Sequence, residues 1–323
     1  MKLISTIAAV AAALALSGAP GDARADGDIR ATARALAAKS SKAVVTVELV
    51  VSIKGGPMGG GDEEQEIEVV GTVIDPSGLT VVSASELDPT TMLKALLGGM
   101  GGMFGGGDME SVVKETLIVL QDGTEFEADV VLKDADLDLA FIRPRDTETK
   151  FDWIELKPRT KPPEMLEEIF VLSRLGRLQN RVPALSLGTV KAIVKGPRPF
   201  YICDSEASSG SLGCLAFDSS GQPLGLFVMK QAAGGGADSA MAMGFLSILM
   251  GAGSNRSATA TILRSIEDVL EIAEQAKTAK APEPEESDDD DAEDDGDEEG
   301  EMEEPESDDE EESDEDDEEE EKD

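Results

Sequence analysis

Residues 200–230, FYICDSEASSGSLGCLAFDSSGQPLGLFVMK, alternate apolar runs with clusters of small residues. This pattern predicts a strand at 200–203, a tight loop at 205–213, a second strand at 214–218 and a third at 224–229. A Gly/Ser loop held between two apolar strands can present backbone N–H groups to a carbonyl oxygen. The stretch therefore predicts a β-protein with a candidate site at its Gly/Ser loop.

The chain on the N-terminal side repeats the short-strand pattern. Further β-like runs lie at residues 43–51, 65–74, 79–83, 116–120, 125–132, 139–143, 168–173 and 185–195. Turn signals such as Asp122-Gly123 separate them. About a dozen short strands without a long helical pattern between them predict an all-β fold, a double six-stranded β-barrel. We expect the barrels at about residues 40–150 and 165–255.

A helical pattern follows the predicted barrels. Apolar residues from Ile262 to Ala273 recur at spacings of one, three and four, which gives one apolar stripe. The pattern predicts a helix at about 259–278, capped by Thr259 or Thr261 and packed against the second barrel.

The N-terminal residues 1–25 are typical of a secretory signal peptide. Lys2 precedes an apolar run at residues 3–16, and an A-x-A pattern ends at Ala25. An N-terminal membrane anchor is the alternative, but the apolar run is too short to span a bilayer. We therefore expect an exported protein, periplasmic or secreted, whose mature chain begins at Asp26.

The other end of the chain is strongly acidic. Residues 283–323 contain 31 acidic residues and one lysine, Lys322, and so carry −30 of the net charge of −40. Such a run repels itself and cannot bury apolar surface, so residues 281–323 are predicted to be a disordered tail. The charge argues against binding nucleic acid. Solubility is the favoured role of the tail; contact with a basic partner and weak, non-specific Ca²⁺ binding are the alternatives.

Two glycine-rich inserts interrupt the first half of the chain, at residues 55–62 and 98–108. Ordering a glycine run costs more backbone entropy than ordering other residues, so both are expected to be surface loops. Adaptable binding loops, with methionines as the contact points, are the alternative.

Three stretches in matching order resemble the HtrA/Deg-like trypsin-type serine proteases. Residues 71–87 (GTVIDPSGLTVVSASEL) are similar to the family segment that ends in the general-base histidine. Residues 116–143 resemble the following strand pair, which closes with the D-x-x-x-D-L-A motif of the catalytic aspartate. Residues 210–214 (GSLGC) occupy the place of the G-N-S-G-G nucleophile loop. The resemblance covers roughly residues 43–277 and implies a chymotrypsin-type double barrel, without the family's PDZ domain.

The resemblance also implies that the catalytic triad is lost. It assigns the histidine position to Ser85, the aspartate position to Asp138 and the nucleophile position to Leu212. The chain contains no histidine at all, so the loss of the imidazole base does not depend on the alignment. A serine protease needs a hydroxyl, a base and an orienting carboxylate. No catalytic residue is therefore expected, and the resemblance implies a pseudoprotease.

Three functions follow from this reasoning. The first is binding of a peptide or protein partner without cleavage, in a cleft whose former oxyanion loop contains Gly210, Ser211 and Gly213. The second is a serine endopeptidase with an unrecognised arrangement, such as Ser211 with a lysine base. The third is a scaffold whose acidic tail binds cations or basic partners; deletion of the tail would test it.

The two cysteines, Cys203 and Cys214, flank the loop. A disulfide between them would fit an oxidising compartment and would brace the loop. Two separate buried thiols are the alternative, because facing strands need not bring the two Cα atoms within range. Cysteine and histidine do not occur at metal-ligand spacing, so neither a metal nor a cofactor is expected.

Overall fold

The strands of the protein close into two barrels. A computed structural model describes residues 21–54, 63–90, 110–231 and 259–281. In this part of the chain, two closed barrels of six strands each are built entirely from antiparallel pairs. The predicted fold class, a double six-stranded β-barrel, is confirmed.

The first barrel has the strand order β1-β2-β3-β6-β5-β4, with β4 paired back to β1. Its strands are β1 (Val44–Lys54), β2 (Glu63–Val73), β3 (Thr80–Ser83), β4 (Glu110–Val119), β5 (Glu125–Asp134) and β6 (Leu139–Pro144). A short 3₁₀ helix, Ala84–Leu87, follows β3 directly.

The second barrel has the order β10-β11-β12-β9-β8-β7, with β7 paired back to β10. Its strands are β7 (Glu168–Arg174), β8 (Pro183–Val194), β9 (Phe200–Cys203), β10 (Leu215–Asp218), β11 (Pro223–Gln231) and β12 (Thr259–Ser265). All the predicted β-like runs coincide with observed strands, and β12 is the strand that the sequence analysis missed.

Alternation of side chains along the strands builds the core. In β1, Val45, Val47, Leu49 and Val51 are fully buried, because every second residue of a strand faces the same side. One apolar cluster fills the first barrel and continues onto strands β7, β10, β11 and β12 and the C-terminal helix. A second cluster fills the other barrel. Burial of these β-branched and leucine side chains, worth about 1.5–3 kcal/mol each, drives closure of the barrels.

A helix precedes the first barrel. Helix α1 (Gly21–Ser40) buries Ala33 and Leu36, and the sequence analysis assigned this segment to no element. The helix continues through the expected cleavage position before Asp26, and the signal peptide stays a prediction.

The predicted C-terminal helix begins later than expected. Residues from Thr259 to Ser265 form β12, and the helix α3 covers Ile266–Thr278. The second barrel therefore ends beyond residue 255, and Ser265, not Thr259 or Thr261, accepts the capping hydrogen bond at the N-terminus of α3. The helical pattern was misleading in this segment because β12 fills the gap between β11 and β9.

Helix α3 packs against both barrels rather than the second alone. It contacts β5 and β6 on one side and β11 and β12 on the other. The guanidinium group of Arg143 in β6 donates hydrogen bonds to the carbonyl oxygens of Ala276, Lys277 and Ala279. A cation at the C-terminus of a helix satisfies its free carbonyl groups and its dipole. The helix therefore fastens the two barrels together.

Several predicted segments lie outside the described residues. They are residues 1–20 of the predicted signal peptide, both glycine-rich inserts and, apart from Ala281, the acidic tail. Among the described residues, none of the helices has the length and apolar character needed to span a membrane.

Candidate functional site

Asp138 connects the two barrels at their junction. It lies in the turn between β5 and β6, and only 8% of the residue is exposed. Its Oδ2 atom accepts a hydrogen bond of 2.6 Å from the backbone N–H of Met229, in β11 of the second barrel. A hydrogen bond to a carboxylate in a dry interior is stronger than one between neutral groups.

The other hydrogen bonds to Asp138 come from the end of β3. The backbone N–H of Ser85 donates to Oδ1 at 2.7 Å, and the Ser85 hydroxyl donates to Oδ2 at 3.2 Å. The Ser83 hydroxyl also donates to Oδ2. The structure thus brings together Ser85 and Asp138, two of the three triad-equivalent positions. A serine hydroxyl does not have the basic ring nitrogen of a histidine, so this pair lacks the proton acceptor of a histidine–aspartate pair.

The environment of Asp138 is that of a structural hydrogen-bond acceptor. Burial raises the pKa of its carboxyl group, and hydrogen bonds from Ser83, Met229 and Ser85 lower that pKa and offset part of the effect. Its φ of +56° lies in the left-handed region, which aspartate and asparagine tolerate better than most residues. The local backbone therefore also favours an aspartate here, independently of any chemistry.

The Gly/Ser loop begins with a helical turn. Asp204 caps the four-residue helix α2 (Ser205–Ser208), since its Oδ1 accepts a hydrogen bond of 3.0 Å from the N–H of Ala207. Its Oδ2 accepts a second bond of 2.7 Å from the N–H of Thr189 in β8. The loop that was predicted at 205–213 is consequently confined to residues 209–214 and has a rigid base.

Three successive backbone N–H groups of this loop have no acceptor in the described part of the chain. They belong to Gly210, Ser211 and Leu212. Gly210 has a φ of +67°, and no atom lies within 4 Å of the position that a Cβ would take. Successive N–H groups in a turn of this kind form a concavity for an anion or a carbonyl oxygen.

Ser211, between Gly210 and Leu212, faces the protein interior. It is 4% exposed, and its hydroxyl donates a hydrogen bond of 2.7 Å to the carbonyl oxygen of Ala207. The hydroxyl is therefore used inside the loop rather than presented to a ligand.

Gly213 holds the loop against the first barrel. A Cβ at this position would lie 2.1 Å from the carbonyl oxygen of Val70 in β2, and φ is +71°. The Thr72 hydroxyl donates to the Gly213 carbonyl at 3.4 Å, and the Gly213 N–H donates to Phe227 in β11 at 2.9 Å. Only glycine permits this close approach of two backbones.

The sequence analysis missed Glu86, an acidic residue of this site. Its Oε2 atom is buried without a hydrogen-bond partner and lies 3.6 Å from the Cβ position of Gly213. Burial, and then the charge of Asp138, raises the pKa of Glu86 to about 7. The available signal was its place in the motif, directly after Ser85.

The third triad-equivalent position, Leu212, is half-buried, and its side chain has no atom that can donate or accept a hydrogen bond. Its carbonyl oxygen accepts a contact of 3.6 Å from the Cys214 thiol. Leucine offers no nucleophilic atom.

Cys203 and Cys214 are both buried and free, which corresponds to the second of the two alternatives. Burial, and then the charge of Asp204, raises the pKa of Cys203 to about 12. Burial, and then the charge of Glu86, raises the pKa of Cys214 as well. Both thiols are therefore protonated and unreactive at neutral pH.

Residues 70–226 match the family model described as a trypsin-like peptidase domain. The matched residues run from β2 to β11 and include strands of both barrels and the whole Gly/Ser loop. The fold is that of a trypsin-like peptidase domain. The search of curated proteins found no match. In the described part of this trypsin-like chain, no cluster of three or more acidic or cysteine side chains could hold a metal ion.

Proposed function

We propose that this protein is a non-cleaving relative of the HtrA/Deg-like proteases that binds an extended peptide at the junction of its barrels. The observation that carries the proposal is the environment of Asp138, whose two oxygens accept hydrogen bonds from serine and backbone donors only. The orienting carboxylate is present, but no base is attached to it.

The missing groups determine the expected activity. Removal of the nucleophile or of the base lowers the turnover of a serine protease about a million-fold, on the order of 8 kcal/mol of barrier. Here both are absent, because Leu212 holds the nucleophile position and the chain contains no histidine. Ser211 does not substitute, because its buried hydroxyl donates to Ala207.

Backbone donors without an acceptor support the binding of a substrate carbonyl. The free N–H groups of Gly210 and Leu212 can donate to a peptide carbonyl oxygen, and the open space beside Gly210 admits it. Two such bonds give orientation to an extended peptide without any covalent step. The apolar run at residues 3–16 and the A-x-A pattern that ends at Ala25 support a place outside the cytoplasm.

Reaction with a fluorophosphonate probe, together with casein cleavage, tests the absence of catalysis. We expect neither labelling nor cleavage by the purified protein. Labelling that disappears in Ser211→Ala would refute the proposal and would show that a serine is activated without histidine.

Binding is tested with an immobilised random peptide library. The selected peptides should bind the Leu212→Ala variant like the wild-type protein, because alanine keeps the backbone N–H. They should bind Leu212→Pro at least about tenfold more weakly, since proline removes the donor. Equal binding to both variants would exclude the N–H groups of the loop as the anchor.

A further inference from the structure

Glu86 is a half-buried residue with one fully buried carboxyl oxygen, Oε2, and the proposed binding function does not use it. It lies in the 3₁₀ helix Ala84–Leu87, and its Oε2 atom faces the Gly/Ser loop at the point where Gly213 touches Val70. The atom is shielded from solvent and has no hydrogen-bond partner. A neutral carboxyl group is tolerated in such a place, but an unpaired carboxylate is costly there.

The charges around Glu86 increase this cost. Asp138, in the turn between β5 and β6, is the charged group that acts on Glu86 among the described residues, and it repels a second negative charge. Cys214, on the loop itself, is the other titratable neighbour, and its thiol is uncharged. The elements packed here from β2 and β11 contribute Val70, Thr72 and the backbone of Met229, none of which is charged.

We propose that Glu86 is a pH-sensitive latch: its ionisation releases residues 209–214 from β2 and so regulates ligand access to the loop. The part of this statement that concerns the ligand rests on the proposed peptide-binding function; the part that concerns the loop does not. When the loop lifts, water reaches the carboxylate and removes the desolvation cost, so ionisation favours the open loop.

The pH range follows from the pKa of the two states. The pKa of Glu86 is about 7 with the loop closed, and its ordinary value is 4.5 when it is solvated. The closed loop therefore holds the proton more tightly, and opening becomes easier as pH rises from 4.5 towards about 7. Above that range the opening equilibrium is constant, and below it the loop is closed most firmly.

Hydrogen exchange at pH 5.0 and 7.5, corrected for the intrinsic rates, tests the latch. In the wild-type protein, protection of the loop amides, which include Gly213 and Cys214, should fall on the order of 100-fold between the two pH values. Glu86→Gln keeps the shape of the uncharged glutamate side chain and cannot ionise. Its loop amides should therefore have equal protection at the two pH values. Glu206→Gln, which changes an exposed carboxyl group in the neighbouring helix α2, should behave like the wild-type protein.

The wild-type measurement alone can refute the latch, even if Glu86→Gln does not fold. Constant loop protection would overturn it. The latch would also be overturned if hydrogen exchange gave the loop the same opening free energy as strand β7 at both pH values. The loop would then open only by global unfolding. If the loop opens as expected but the affinity for selected peptides is constant with pH, the latch stands and the proposed binding site is wrong.

Discussion

Replacement of Asp138 tests whether this residue now serves the fold rather than a reaction. In Asp138→Ala, the backbone N–H groups of Ser85 and Met229 lose their acceptor inside the protein. Each buried donor left without a partner costs about 1–3 kcal/mol. The two serine hydroxyls lie 3.0 Å apart and can bond to each other, so they add little.

The backbone adds a further cost. Alanine at a φ of +56° is less favourable than aspartate by about 1 kcal/mol. The sum is a loss of about 3–7 kcal/mol in the free energy of unfolding, a large part of the stability of an ordinary domain. Asp138→Asn keeps one carbonyl oxygen, and asparagine tolerates this backbone conformation. We therefore expect this variant to lose about 2 kcal/mol in the free energy of unfolding.

Urea denaturation followed by circular dichroism and tryptophan fluorescence measures these changes. Asp136→Ala is the matched control, because Asp136 is an exposed carboxylate in the same turn, and its replacement should change stability by less than about 0.5 kcal/mol. A cost below about 1 kcal/mol for Asp138→Ala would show that the hydrogen bonds across the barrels contribute little, and the reasoning would fail.

Two other substitutions test the loop and the C-terminal helix. Gly213→Ala should lower the free energy of unfolding by at least about 3 kcal/mol, because its Cβ would overlap the carbonyl oxygen of Val70. The control Gly210→Ala has a similar φ but open space around its Cβ, so it should lower the free energy of unfolding by about 1 kcal/mol. Equal losses for the two variants in urea denaturation would contradict the close backbone contact. Ser265→Ala should lower the free energy of unfolding by about 1 kcal/mol, because it removes the hydroxyl that accepts a hydrogen bond from the Asp268 N–H. Ser265→Thr keeps a hydroxyl and should retain most of the stability. If the alanine variant is as stable as the wild-type protein, the cap is not needed.

The β-barrels could be predicted from the sequence because their signal is local. Period-two alternation, as at Val45, Val47 and Leu49, identifies a strand wherever it pairs. The segment of β12 defeated this approach, since Ile262, Leu263 and Ile266 fit a helical stripe as well as a strand. Pairing of this segment with β11 and β9 decides between the two, and pairing depends on residues far away in the chain.

The sequence predicted only part of the candidate site. The resemblance assigned Ser85 and Asp138 to two triad positions, and in the structure the Ser85 N–H donates to Asp138. Glu86 could not be found in this way. Its significance comes from the approach of Gly213, which is 127 positions later in the sequence, and from a buried atom that lacks a partner.

The arrangement at the junction explains how the Gly/Ser loop keeps its position. Three contacts cross from one barrel to the other within a few residues: Met229 to Asp138, Thr72 to Gly213, and Gly213 against Val70. None of them requires a nucleophile or a base, and each depends on backbone groups or on a carboxylate. The Ser85 hydroxyl adds one more hydrogen bond to Oδ2 of Asp138, which already accepts from Ser83 and Met229. The geometry that positions the Gly/Ser loop is thus maintained by the same residues whether or not a peptide can be cleaved.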